Sequence, residues 1–177
     1  MNHQDHVNLL RHGIPQPGGT WADLGAGHGA FTLALAELLG PTAVIHAIDK
    51  DQRALQQQTR LMSQQFPRTI VHYQTADFTI PLTLPPLDGI VAANTLHFVR
   101  HKNQTVQLWR SYLKTNGRLL IVEYNTDHGN HWVPHPFAYP TWQKLAAANG
   151  FTHTQLLATH PSRFLGEIYA AVSWHQA

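Results

Sequence analysis

Short apolar runs alternating with helical segments predict an α/β fold, a doubly wound and mostly parallel sheet with helices on both faces. Three observations carry the prediction. The runs TWADLGA (20–26), AVIHAID (43–49), TIVHYQ (69–74), GIVAAN (89–94) and RLLIVEY (118–124) are almost continuously apolar, as expected of strands buried on both faces. Helical stretches separate most of them, which is what parallel crossovers need. Gly, Pro and Asn punctuate the boundaries between the two patterns.

Residues 3–12 fit an amphipathic opening helix with Val7, Leu9 and Leu10 on its apolar face, broken by PQPGG (15–19). After the first strand, Ala30–Leu39 reads as an apolar helix stopped by Gly40-Pro41. Residues 51–65 form a Gln-rich helix bounded by Pro67. The stretch DFTIPLTLPPLD (77–88) carries three prolines and reads as a loop. A helix over 103–114, closed by Asn116-Gly117, precedes the fifth strand. A loop rich in His and aromatics (125–140) leads to a helix over 141–148, and two strands, near 151–159 and 165–174, finish the chain. One domain over 1–177 accommodates all of this, with 1–19 as a lead-in and 125–140 as a substrate lid.

Composition narrows the function. The chain has 177 residues, 43% of them apolar and 12% charged, which favours a packed core over disorder. It has no cysteine, so disulfides, thiolate zinc sites and a cysteine nucleophile are excluded. Neither a leader-like apolar run nor a membrane span is evident, and a cytoplasmic protein is expected. The pI is near 9.1. Its basic residues are nevertheless scattered, with no stripe of the kind that binds nucleic acid. The 14 histidines make the charge pH-sensitive without assigning a role to any one of them.

In parallel sheets ligands bind outside the carboxyl ends of the strands. Four of the ten acidic residues, Asp23, Asp49, Asp77 and Glu123, fall at those ends. Edge carboxylates that are partly buried need donors or cations, so a ligand offering both is implied. DLGAGHGAF (23–31) has the strand, glycine loop and helix layout of a nucleotide site, with Gly25, Gly27 and Gly29 free to take positive φ. Gly25, Gly27 and Ala30 also satisfy G-x-G-x-x-A, so the loop alone leaves a nicotinamide cofactor open. Asp49, ending the second strand, suits ribose hydroxyls in either class.

Three features favour S-adenosylmethionine (SAM). Asp23 sits where a pyrophosphate would gain nothing from a negative charge. Ala76-Asp77-Phe78 offers an acceptor for an adenine amino group and an aromatic to stack on it. No room remains after residue 150 for a second nucleotide half.

Taken in order, DLGAGHG, IHAIDKD, TADF, LDGIVAANTLHFV and LKTNGRLLIVEY resemble the successive motifs of the class I SAM-dependent methyltransferases, spanning 20–125. The resemblance implies a seven-stranded sheet of order 3-2-1-4-5-7-6 with the last strand antiparallel. It also implies that Asp23 and the loop Gly25, Ala26, Gly27 and Gly29 line the methionine end of SAM. Asp49 would hold the ribose and Asp77, between Ala76 and Phe78, the adenine, with Lys50 also among the cofactor-binding residues. Asn94 would close the site from the fourth strand. The departure is the 77–88 loop, where many relatives have a helix. About eleven extended residues reach ~35 Å, ample for the crossover.

On the acceptor side, the missing cysteine excludes cytosine C5 methylation. AANTLHF replaces the N-P-P-[YF] type of motif, and no Lys-Asp-Lys-Glu set is evident. A small-molecule acceptor is therefore favoured over a nucleic acid, with the methylated O, N or C atom open. His97 is the candidate general base, or else it packs over the cofactor. Glu123, Tyr124 and His128 are alternatives. His128, His131 and His135 suggest a metal site only weakly, because Gly129 and Pro134 interrupt any helix, and no metal is expected. A SAM-binding module without catalysis and a nicotinamide-dependent oxidoreductase are the rival readings.

Overall fold

The computed structural model describes residues 1–176 and places seven strands in one sheet of order β3-β2-β1-β4-β5-β7-β6. These are β1 (Thr20–Leu24), β2 (Val44–Asp49), β3 (Ile70–Thr75), β4 (Leu87–Ala93), β5 (Leu113–Tyr124), β6 (His153–Ser162) and β7 (Gly166–Trp174). The pairs β1/β2, β2/β3, β1/β4 and β4/β5 are parallel. Only β7 runs against its neighbours β5 and β6. This is the expected class I methyltransferase topology, with its switch point between β1 and β4.

Five helices flank the sheet: α1 (His3–Leu10), α2 (Ala30–Leu39), α3 (Gln52–Gln65), α4 (Lys102–Ser111) and α5 (Tyr139–Ala148). Local chemistry sets their starts. Asn2 and Asp5 form a reciprocal capping box at α1, and the Asp51 carboxylate accepts from the N–H groups of Arg53 and Ala54 at α3. Strand alternation then sorts side chains onto two cores. Trp21, Ile45, Val91, Leu120 and Val122 pack with α1 and α2. Ala22, Leu24, Ile90, Ala92, Leu119 and Ile121 pack with Trp109 of α4 and Trp142 of α5.

The proline-rich connection between β3 and β4 contains no helix, as expected. It covers its part of the sheet with Phe78, Leu82 and Leu84. Its backbone is satisfied from outside: Trp109 Nε1–H donates to the Phe78 carbonyl at 3.1 Å, and the Leu82 N–H donates to the Tyr112 hydroxyl at 2.8 Å.

One boundary differs from expectation. Helix α4 ends at Ser111, and Asn116-Gly117 is not its cap but an irregularity inside β5, where the ladder with β4 slips between Leu87 and Gly89. Asn116 adopts φ +67°. Its N–H donates to the His175 carbonyl at 2.7 Å, and the His175 N–H returns to the Gly117 carbonyl at 2.8 Å. The residues that end helices with positive φ also build bulges, and here a tertiary ladder claims them. Among the described residues no helix is long and apolar enough to cross a membrane.

Candidate active site

The carboxyl edge of the sheet gathers the predicted residues. β1 ends at Leu24, and the chain turns at Gly25 (φ +81°). The N–H groups of Gly25 and Ala26 donate to the Ile48 carbonyl at 2.8 and 3.0 Å, tying the loop to β2. A Cβ at Gly25 would collide with the Thr95 side chain. The loop is therefore locked between β2 and the segment after β4.

Asp49 closes β2 with both carboxylate oxygens fixed: Oδ2 accepts from the Gly27 N–H at 2.7 Å and Oδ1 from the Asp51 N–H at 2.8 Å. Each oxygen keeps a further lone pair, which suits a pair of ribose hydroxyls.

Asp23 is 1% exposed. Its Oδ2 accepts from the Thr32 hydroxyl at 2.6 Å, while Oδ1 has no partner. Burial pushes its carboxyl up to about 7, opposed by the Thr32 hydrogen bond and reinforced by the nearby charge of Asp49. Asn94, with φ +51°, also holds a buried side-chain oxygen without a partner. Asp23, Gly25, Ala26 and Asn94 line one cleft of about 260 Å³ with His6 and Phe31. Two orphaned acceptors in one cleft call for a cationic, hydrogen-bond-donating ligand. The ammonium and sulfonium of SAM meet that requirement; a pyrophosphate does not.

The adenine end is arranged less openly. Lys50 Nζ pairs with Asp77 Oδ2 at 2.8 Å, and Asp77 Oδ1 accepts from the Thr79 N–H at 2.8 Å and hydroxyl at 2.6 Å. Burial alone would raise the Asp77 carboxyl, but Lys50 and Thr79 together hold it near 2. Ala76 is half-buried, and its N–H donates to the Asp49 carbonyl at 3.0 Å. Phe78 departs from the expected stacking role. It is buried, edge-to-face with Trp109 at 5.6 Å, and anchors its loop in the core. Lys50, expected among the cofactor-binding residues, is engaged with Asp77.

His97 lies in a one-turn 3-10 helix (Leu96–Phe98) after β4 and is 3% exposed. Its Nδ1 is 2.7 Å from Glu123 Oε2. Glu123 Oε1 accepts from the N–H groups of Thr95, Leu96 and His97 at 3.1, 2.9 and 3.2 Å. The fully buried carboxylate thus holds the turn and the ring together. His97 Nε2 has no partner among the described residues and keeps contact with solvent. The ring does not line the cleft of Asp23 and Asn94; it packs beside Phe98 and Tyr124, at centroid distances of 4.3 and 6.0 Å.

In the His-rich loop, His128 and His131 are exposed, and the His135 N–H donates to the His97 carbonyl at 3.0 Å. Among the described residues no three His, Asp or Glu side chains are placed to hold a metal. Of the loop's aromatics, Trp132 is 71% exposed, whereas Phe137 packs into the core against Trp142. The sequence reading missed Thr32 and Thr95 as site residues and the pairing of Glu123 with His97. A lone acidic residue inside the buried run RLLIVEY was the available signal for the last.

A family model described as "Methyltransferase domain" matches residues 15–160. No curated protein matches the chain. Among solved structures, the YcgJ protein from Bacillus subtilis superposes with a TM-score of 0.80 at 14% identity, covering 99% of this chain and 100% of that one. A 1,6-didemethyltoxoflavin-N1-methyltransferase from Burkholderia thailandensis, with 1,6-didemethyltoxoflavin and S-adenosylhomocysteine bound, gives 0.76 at 18% identity, covering 99% and 78%. Magnesium protoporphyrin IX methyltransferase from Synechocystis, with SAM bound, gives 0.72 at 15% identity, covering 98% and 78%. With the family model spanning most of the chain, and the sheet order and edge loop agreeing with it, this chain belongs to the methyltransferase domain family, as a class I SAM-dependent methyltransferase.

Proposed function

We propose that this methyltransferase transfers a methyl group to a small-molecule acceptor, with His97 taking the proton that the acceptor loses. The observation that carries the reading is the His97–Glu123 pair, three residues beyond Asn94 on the same sheet edge. Bound SAM supplies an electrophilic methyl group on a cationic sulfur. Asp23 and Asn94, with their unpartnered oxygens, would hold its ammonium end, Asp49 its ribose, and the Ala76–Asp77 segment would border its adenine. Glu123 holds the proton on His97 Nδ1, which leaves a lone pair on Nε2, the disposition a general base needs. Scattered basic residues, and the small molecules named for the Burkholderia and Synechocystis enzymes, support a small acceptor.

Calorimetry is expected to show SAM and S-adenosylhomocysteine binding with NAD and NADP inert. NAD binding without SAM binding would defeat the cofactor assignment. With an acceptor in hand, His97→Gln is expected to lower turnover by ~10²–10⁴ at nearly unchanged SAM affinity. A fully active variant would remove His97 from the chemistry.

A further inference from the structure

We propose that His46 and His72 form a surface site for one zinc ion, which clasps the edge strand β3 to β2. The inference stands apart from the methyl-transfer reading, because it uses neither the cofactor cleft nor the residues around His97. Strand register creates the pair. His46 of β2 and His72 of β3 are direct partners in the parallel ladder, so both side chains leave the same face of the sheet. Their ring centroids lie 5.0 Å apart, with the planes tilted by 31°. No other two histidine rings meet among the described residues.

The face they share is open to solvent. Val71 and Tyr73, which alternate with His72, pack with Ala47 and with Leu55 of α3. The histidines therefore occupy the opposite face, where Ile48 packs with Phe78, Leu82 and Leu84 of the proline-rich connection. That connection contains no helix and leaves the outer end of the face uncovered. His72 is exposed and His46 half-buried, and Ile70 and Ile80 are 54% and 56% exposed. The histidine rings that hydrogen-bond within the described residues are those of His3, His97 and His160. Both rings of the pair are thus uncommitted.

Bond lengths set the spacing that a shared ion needs. Zinc–imidazole bonds of ~2.0–2.1 Å at near-tetrahedral angles hold two ring centroids about 4.9–5.4 Å apart. The observed separation falls inside that range, so binding needs rotation of the rings and no movement of the strands. The donors select the ion, because imidazole suits zinc while magnesium and calcium need oxygen ligands. The same-face neighbours two residues away, Val44, Ile48, Ile70 and Gln74, carry neither a carboxylate nor a competing cation. No third His, Asp or Glu joins the pair among the described residues. Water therefore completes the coordination, and the site is an exchangeable one.

The test is calorimetric titration of the full chain, without a polyhistidine tag, with zinc chloride and with magnesium chloride. One tight equivalent of zinc is expected, with no response to magnesium. His72→Gln, at an exposed position, and His46→Gln are each expected to weaken zinc 10-fold or more. His131→Gln, in the His-rich loop, is expected to leave it unchanged. In ¹⁵N-histidine NMR spectra, the first equivalent of zinc is expected to shift the ring signals of His46 and His72 ahead of all others. Excess zinc is expected to raise Tm by several degrees in wild type and not in His72→Gln. Failure of zinc to bind, or an equal loss in His131→Gln, would overturn the proposal. Full affinity in His72→Gln would overturn it too and would mark an adventitious ion only.

Discussion

Replacing Glu123 by Gln tests the site at its most constrained point. The carboxylate is fully buried and accepts four hydrogen bonds, three from backbone N–H groups on Oε1 and one from His97 on Oε2. A glutamine must keep its oxygen toward the three donors, because an amide NH₂ there would face three N–H groups. Its NH₂ then points at His97 Nδ1, which can only accept, and the ring proton is driven to Nε2. Hydrogen bonds to charged groups contribute about 1.5–3 kcal/mol and neutral ones about 0.5–1.5. Some of the loss returns because no charge is buried, so a net destabilisation of about 1–3 kcal/mol is expected. For a chain of this length that lowers Tm by about 2–12 °C. The tautomer can be read without an acceptor, from ¹⁵N-histidine NMR at a pH where the ring is neutral. Wild type is expected to carry the proton on Nδ1 and the variant on Nε2. Once an acceptor is known, turnover of the variant is expected to fall ~10²–10⁴ with S-adenosylhomocysteine affinity unchanged. A wild-type ring protonated at Nε2, or a variant with full turnover, would refute the assigned geometry.

Three further outcomes are expected. Asp23 has a folded-state pKa raised from 3.8 to about 7, so the ligand-free fold binds a proton there that the unfolded chain has lost. Stability therefore falls as pH rises from about 4 to about 7, by up to about 4 kcal/mol. Urea midpoints measured from pH 4 to 8 should show this slope in wild type but not in Asp23→Asn; parallel curves would sink the idea. Asp49→Ala removes the acceptor of the Gly27 and Asp51 N–H groups and should weaken SAM by about 1–3 kcal/mol in a folded protein. Unchanged affinity by calorimetry would move the ribose elsewhere. Gly25→Ala combines a positive φ with a clash on Thr95 and should cost about 2–4 kcal/mol in chemical denaturation, partly recovered by adding Thr95→Gly. A wild-type midpoint would contradict the loop conformation.

Features governed by local chemistry were legible in advance. Helix α2 stops at Gly40, the Gln-rich α3 ends just before Pro67, and Pro81, Pro85 and Pro86 keep the β3–β4 connection from forming a helix. Features that depend on a distant ladder were not. Asn116-Gly117 has the same preference for positive φ in a helix cap as in a bulge, and its pairing with His175 selects the bulge.

The same division runs through the site. The order of acidic strand ends around a glycine loop follows from the sequence alone, because a parallel sheet must bring consecutive strand ends to one edge. That order put Asp23 and Asp49 forward as candidates, and the family resemblance added Asn94. Tertiary packing alone decided which groups each residue meets. It drew Phe78 onto Trp109, set Lys50 on Asp77, left Asp23 Oδ1 and Asn94 Oδ1 without partners, and joined Glu123 to a histidine 26 positions away. Hydrogen bonds are directional and short-ranged, so residue order places such groups on a common edge, and only the folded geometry pairs them.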